Sequence, residues 1–245
     1  MYKLFVTLAM AIGLSSMTNA QNLLEAVEAK DYVKTEQLLK EGAKVNKANK
    51  DGQFALWKAV WNDDEKMVEL LLKNNADAKQ LFKGKDGSFS CLSIASQEGF
   101  LNIAKLLVDA GADPNEKNFR GHSPLRIAAR NGRTELVKYF VSKGAEADTR
   151  GDDGATPLEH AAGKGHLDIV TILVEHGANV NNQDNDKDFP LGEAARSGYI
   201  DIVNYLLSKG ADISLRNKEG QSALDLARIS GQAKVEELLK QKAKG

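Results

Sequence analysis

The chain has 245 residues, with 33 Lys or Arg against 34 Asp or Glu, a formal net charge of -1. That balance excludes a strongly basic nucleic-acid or membrane-coating protein. Apolar residues at 42% and charged residues at 27% exclude a disordered chain and a helical membrane protein, and one cysteine rules out an internal disulfide.

Residues 1–20 read as an export leader. Lys3 is their one charged residue, Leu4 to Leu14 are apolar, and small residues at Thr18 and Ala20 place cleavage after Ala20. The apolar run is too short to span a membrane, so no membrane insertion is expected. Asn-x-Ser/Thr acceptors are absent and Cys91 stands alone, which fits a bacterial periplasmic destination.

From residue 22 onward one pattern recurs. Small-residue turns at Gly42, Asn75, Gly111, Gly144, Gly177 and Gly210 are separated by 33, 36, 33, 33 and 33 residues, a fixed period that marks stacked similar units. The units run 22–49, 50–82, 83–118, 119–151, 152–184, 185–217 and 218–245, and residues 21–245 make one domain. The first, 22–49, carries Lys30 where a turn glycine is expected. In the second, Leu56, Ala59 and Val60 give a weak version of the apolar face, with Phe54 and Trp57 filling space. A three-residue excess at Lys79 to Gly87 predicts a longer or irregular finger. In the third, Cys91 opens a helix carrying Leu92 and Ala95 and is expected to be buried as a small hydrophobe.

The clearest unit, 152–184, predicts a tight turn at Asp153-Gly154, a short helix from Pro157, a turn at Gly165 and a second helix ending at Gly177. Leu158, Ala161 and Ala162 form a narrow face on the first helix; Ile169, Val170, Leu173 and Val174 supply larger groups on the second. The same two faces return in 119–151 and 185–217. The last unit has Ala223 in place of proline and ends with Lys240, Lys242 and Lys244, as expected of a cap whose outer side has no neighbour.

These residues, above all Gly121 to Ala129, Gly154 to Ala162 and the Gly-Ala-Asp or Gly-Ala-Asn closures at 111–113, 177–179 and 210–212, resemble the ankyrin repeat family. The resemblance implies an all-α repeat solenoid of about seven helix pairs with β-hairpin finger loops, binding partners through the fingers and the exposed edge of the first helices. The chain also resembles bacterial periplasmic ankyrin proteins, including the self-protection type of predatory bacteria. That likeness implies an inhibitor capping a peptidoglycan endopeptidase of penicillin-binding-protein type. Two other readings stay open: a periplasmic scaffold for oxidative-stress defence and a secreted effector binding a host protein.

No catalytic set emerges. His122, His160, His166 and His176 lack the close Cys or His pairing of a zinc site. Cys91 has no evident base. Asp184 to Asp188 lacks the late Glu of a helix-loop-helix calcium site, and Gly84, Gly87 and Gly99 do not form a phosphate loop. No enzyme activity, metal, cofactor or nucleic-acid partner is expected, and the free chain is read as a monomer.

What remains is recognition of another protein, with a periplasmic cell-wall hydrolase as the specific candidate. Carried over by repeat position, the binding face includes Lys50, Asp51, Gln53, Trp61 and Asn62, then Phe89, Gln97 and Glu98. Next come Lys117, Phe119, Arg120 and His122 with Arg130 and Asn131. Arg150, Asp152, Asp153 and Lys164 continue it, followed by Asn185, Asp186, Asp188 and Arg196. Trp61 and Phe119-Arg120 are the sharper candidates, because repeat packing does not call for an aromatic there and aromatic and Arg side chains anchor interfaces.

Overall fold

The computed structural model describes residues 22–84 and 87–243. The leader expected at 1–20 lies outside these residues. Among the described residues there are fourteen helices and one two-stranded antiparallel sheet, the all-α repeat class that the spacing predicts. No helix among them is long and apolar enough to cross a membrane.

The chain divides into two compact units, one formed by the described residues up to Ala95 together with Phe100–Asp113, the other by Ser96–Gly99 and everything from Pro114 on. The first contains α1 (22–28), α2 (Tyr32–Lys40), α3 (Ala55–Trp61), α4 (Glu65–Lys73), the hairpin β1 (Leu81–Gly84) and β2 (Gly87–Ser90), most of α5 (Cys91–Glu98), and α6 (Leu101–Asp109). α3 packs on α4, and α4 on α6. Its core is Phe54, Leu56, Trp57, Met67, Leu71, Ile103 and Leu107, with Cys91 fully buried.

The second unit pairs α7 (Pro124–Arg130) with α8 (Thr134–Ser142), α9 (Pro157–Lys164) with α10 (Leu167–Glu175), α11 (Pro190–Ser197) with α12 (Ile200–Ser208), and α13 (Ala223–Ile229) with α14 (Ala233–Lys242). First helices stack on first helices through Ala128-Ala129, Ala161-Ala162 and Ala194-Ala195, all fully buried. Small side chains there allow close approach, while Val137, Phe140, Ile169, Leu173, Val203 and Leu206 fill the second layer. Proline begins α7, α9 and α11, where its missing N–H costs nothing. Ser123 and Thr156 cap α7 and α9 by accepting from the amides of Arg126 and Glu159. The turn glycine replaced by Lys30 does need left-handed backbone: Lys30 has φ 55°, and Asp63, at the corresponding place in the next repeat, φ 51°.

Of the expected finger hairpins, the one at 81–90, where the three-residue excess lies, pairs as a regular two-stranded ladder with Phe82 facing Phe89. Other fingers close within five residues. Asn118 N–H donates to the His122 carbonyl and Asp184 N–H to that of Asp188, while the same two side chains accept the amides two and four residues on. In the finger closed the same way from Asn217 to Gln221, pairing extends outward by one isolated antiparallel bridge, Arg216 to Ser222. The fingers of the second unit are joined to one another: Asp152 N–H donates to Arg120 O, Asn185 N–H to Asp153 O, and Lys218 N–H to Asp186 O.

Candidate functional site

In the first unit the Trp57 ring stacks on Trp61, with centroids 5.5 Å apart, and on Phe82 of β1, at 4.6 Å. Trp57 and Phe54 are buried, as expected of space-filling groups, whereas Trp61 is 60% exposed at the end of α3. Beside it the Asn62 carbonyl accepts from Lys30 Nζ. Phe89 is half-buried in the hairpin. Lys50 and Asp51 are exposed at the tip of a finger held by the Asn49 side chain, which accepts from the amides of Asp51 and Gln53.

In the second unit Gln97 and Glu98 are exposed and bonded to each other, and the Gln97 carbonyl accepts from Arg133 Nε. Lys117, Phe119 and Arg120 stand on the next finger. Phe119 is 41% exposed, and the Arg120 guanidinium lies 5.0 Å from its ring centroid, a cation–π pair open to solvent. Arg130 and Asn131 are exposed at the end of α7, Asn131 bonding back to the Ile127 carbonyl. Lys164 is exposed at the end of α9. The His166 ring covers Gly132, where a Cβ would fall 2.7 Å from it.

Several nominated charges are engaged in holding fingers together. Arg150 donates to the Gly154 and Gln183 carbonyls and to the Asn182 side chain. Asn185 donates to the Asp152 carbonyl, and Asp186 pairs with Lys218 at 2.7 Å. Arg196 reaches Asp188 at 3.1 Å and Glu193 at 2.8 Å. The latter approach lacks hydrogen-bond geometry at Glu193 Oε1, so that pairing is Coulombic in character.

Two buried charges were missed by reading exposed repeat positions. Arg126 on α7 is only 2% exposed. Its Nη2 bonds both Asp153 Oδ2 and, at 2.7 Å, His160 Nε2. Arginine cannot accept, so His160 must, and its ring proton sits on Nδ1. Gly151 makes this possible, because a Cβ there would overlap Arg126 Nη1. Burial first, then the Arg126 and Arg130 guanidiniums, pushes His160 down to about 4. Burial followed by Arg126 also lowers His122. For Asp153 burial works upward, but the Arg126 bond and the Ala155 amide outweigh it and hold the carboxyl below its usual range.

Glu159 takes the place of Arg126 one repeat later, 6% exposed and with Oε2 lacking any hydrogen-bond partner. Burial, then the charges of Asp184, Glu193, Asp188 and Asp153, pushes its carboxyl up to about 9. The available signal in the sequence is the residue after the first-helix leucine: Trp57, Ser93, Arg126, Glu159, Gly192 and Asp225 in successive units. A full charge on a position next to a core leucine requires a partner or a proton. Among the described residues no group of three or more His, Cys, Asp or Glu is placed to hold a metal ion.

Residues 23–118 and 92–184 match the family described as "Ankyrin repeats (3 copies)", and residues 173–227 match "Ankyrin repeats (many copies)". Similar proteins include the nematode Caenorhabditis elegans "Ankyrin repeat and KH domain-containing protein mask-1", 34% identical over 38% of this chain and 3% of its own length. The mouse "B-cell lymphoma 3 protein homolog" is 37% identical over 36% of this chain and 19% of its own. The human "Ankyrin repeat and SOCS box protein 3" is 31% identical over 36% and 17%. The matched stretch thus spans less than a fifth of each of these relatives.

Proposed function

The chain belongs to the ankyrin repeat family, a family of non-catalytic protein-interaction modules, and from that premise we propose that it is an exported binding protein that caps a periplasmic peptidoglycan endopeptidase of penicillin-binding-protein type. Its role as a protein-binding module rather than an enzyme follows from the family. The exported, wall-protecting version rests on the leader pattern in residues 1–20 and on the likeness to periplasmic self-protection proteins.

The observation that carries the binding role is the row of variable fingers in the second unit. Backbone bonds from Asp152 to Arg120, from Asn185 to Asp153 and from Lys218 to Asp186 fix successive tips. Fixing the tips lowers the ordering cost of docking a partner on them. Phe119 with Arg120, and separately Trp61 on its Trp57 support, supply exposed aromatic area of the kind that anchors interfaces.

The test is digestion of purified peptidoglycan by the wall endopeptidases of a periplasmic extract, with and without the protein. Suppression of cleavage, relieved in a Trp61→Ala, Phe119→Ala double variant of unchanged thermal stability, is the expected result. Undiminished cleavage at saturating protein overturns the inhibitor reading. Retention of the protein in the cytoplasm of its own cells overturns the exported one.

A further inference from the structure

All eight arginines of the chain lie in the second unit, and six of them are bonded there to a carboxylate or a backbone carbonyl. Arg120 and Arg130 are not. Both are exposed, and among the described residues neither guanidinium has a hydrogen-bond or ion-pair partner. Water can solvate an exposed cation, so exposure alone assigns nothing. What sets these two apart is the imidazole that both act on.

His122 lies between them in the chain and is half-buried. Burial first, then the guanidiniums of Arg126, Arg130 and Arg120, hold it below its usual range, with Asp153 opposing them. Asp153 is bonded to Arg126 Nη2, while Arg126 Nε and Nη1 remain buried with no acceptor. Asp152 makes no ion pair with either exposed arginine; its carboxylate covers Gly121, where a Cβ would fall 2.5 Å from Oδ1. The fold thus leaves positive charge on an open surface without neutralising it.

Arg120 is also prepared for an incoming anion. Its guanidinium lies 5.0 Å from the Phe119 ring centroid, and stacking on a ring face leaves the in-plane N–H fork free to donate. Its backbone is fixed on both sides: the Arg120 amide donates to Asn118 Oδ1 at 2.9 Å, and its carbonyl accepts from the Asp152 amide at 3.3 Å. Less freedom is then lost when an anion docks. The neighbouring fingers carry Asp152, Asp184 and Asp186, so a long polyanion running along the tips would meet charge of its own sign. A short one would not.

We propose that Arg120 and Arg130 receive two carboxylates of a short acidic segment of a protein partner, laid across His122. The proposal rests on the protein-binding reading and names the chemistry of the partner's contact. Docked carboxylates offset the guanidiniums of Arg120, Arg130 and Arg126 around His122, which faces Asp153 and His160 from the next repeat. Protonating His122 adds a further positive charge beneath the segment, so affinity rises as pH falls through its titration.

The test is NMR of the full chain with nitrogen-15 arginine and histidine, titrated with acetyl-Glu-Gly-Glu-amide and, as the neutral isostere, acetyl-Gln-Gly-Gln-amide. The acidic peptide is expected to move the Nε–H signals of Arg120 and Arg130 saturably and to raise the His122 midpoint by about half a pH unit. The neutral peptide should do neither. Arg120→Gln with Arg130→Gln should weaken acidic-peptide binding about five-fold at low salt, while Lys234→Gln on α14 should leave it unchanged. Raising the salt to about 0.5 M should abolish the native response. Unmoved arginine signals in the native chain, an equal response to inorganic phosphate at matched ionic strength, or tighter binding of a single-stranded DNA hexamer overturns the assignment. Each of these leaves the peptidoglycan assay untouched. The expected response together with undiminished wall cleavage keeps the acidic-segment site and removes the hydrolase.

Discussion

Glu159 and His160 are adjacent on α9 and shifted in opposite directions, which gives the native state two opposed pH dependences. Glu159, raised to about 9 from the usual 4.5, stays protonated in the fold while the unfolded chain ionises. Its effect on stability is absent below about pH 4.5, grows more adverse by up to about 1.4 kcal/mol per pH unit as pH rises, and levels above about 9. His160, lowered to about 4 from 6.5, stays neutral while the unfolded chain protonates. It therefore costs stability as pH falls from about 6.5 towards 4. Between about 4.5 and 6.5 the two slopes cancel in the native protein. Glu159→Gln should remove one of them, so that denaturant unfolding of this variant shows stability climbing with pH over that range and no decline from pH 7 to 9. Asp153 is 50% exposed but faces an Arg126 that is 2% exposed. Asp153→Ala should cost about 2 kcal/mol by denaturant titration, chiefly by leaving the buried guanidinium with one partner instead of two. Gly151→Ala should cost at least as much by displacing that guanidinium, although Gly151 itself has no left-handed backbone to explain its presence.

At the scale of the element, each first helix depends on its cap and each finger on its closure. Ser222 and Asp225 form a reciprocal capping box at the start of α13, which has no proline to preset it. Ser222→Ala should lose about 1 kcal/mol by thermal unfolding. Thr156→Ala at α9 should lose a similar amount, because its hydroxyl also accepts an N3 amide, although Pro157 follows. The hairpin has a different role, carrying Phe82 onto the Trp57 ring. Phe82→Ala should change the tryptophan emission of the first unit and destabilise it by about 1–3 kcal/mol, with the spectral change identifying the lost stacking.

For the molecule as a whole, repeats that contact only their neighbours predict graded rather than uniform opening. Within the second unit, α9 and α11 pack against first helices on both sides, whereas α14 packs mainly on α13 and, less extensively, on α12. Hydrogen exchange should therefore release the amides of α14 before those of α9 and α11. Uniform protection across the second unit would show that it opens as a single block. The repeat architecture was legible in the sequence because its causes are local: the 33-residue spacing, prolines opening α7, α9 and α11, turn glycines such as Gly165 and Gly177, and paired alanines all act within one unit. The exposure of Trp61, Phe119 and Arg120 was legible for the same reason, since repeat position fixes which side chains leave the packed face. Strand pairing at 81–90 coincides with the three-residue excess there, and the other fingers close through Asn and Asp side chains that accept amides two and four residues on. The pairing of Arg126 with Asp153 and His160, and the lack of any such answer for Glu159, were decided only in the tertiary structure. Those groups lie 27 to 34 residues apart, so whether a buried charge meets its opposite depends on which residues the neighbouring repeat brings against it.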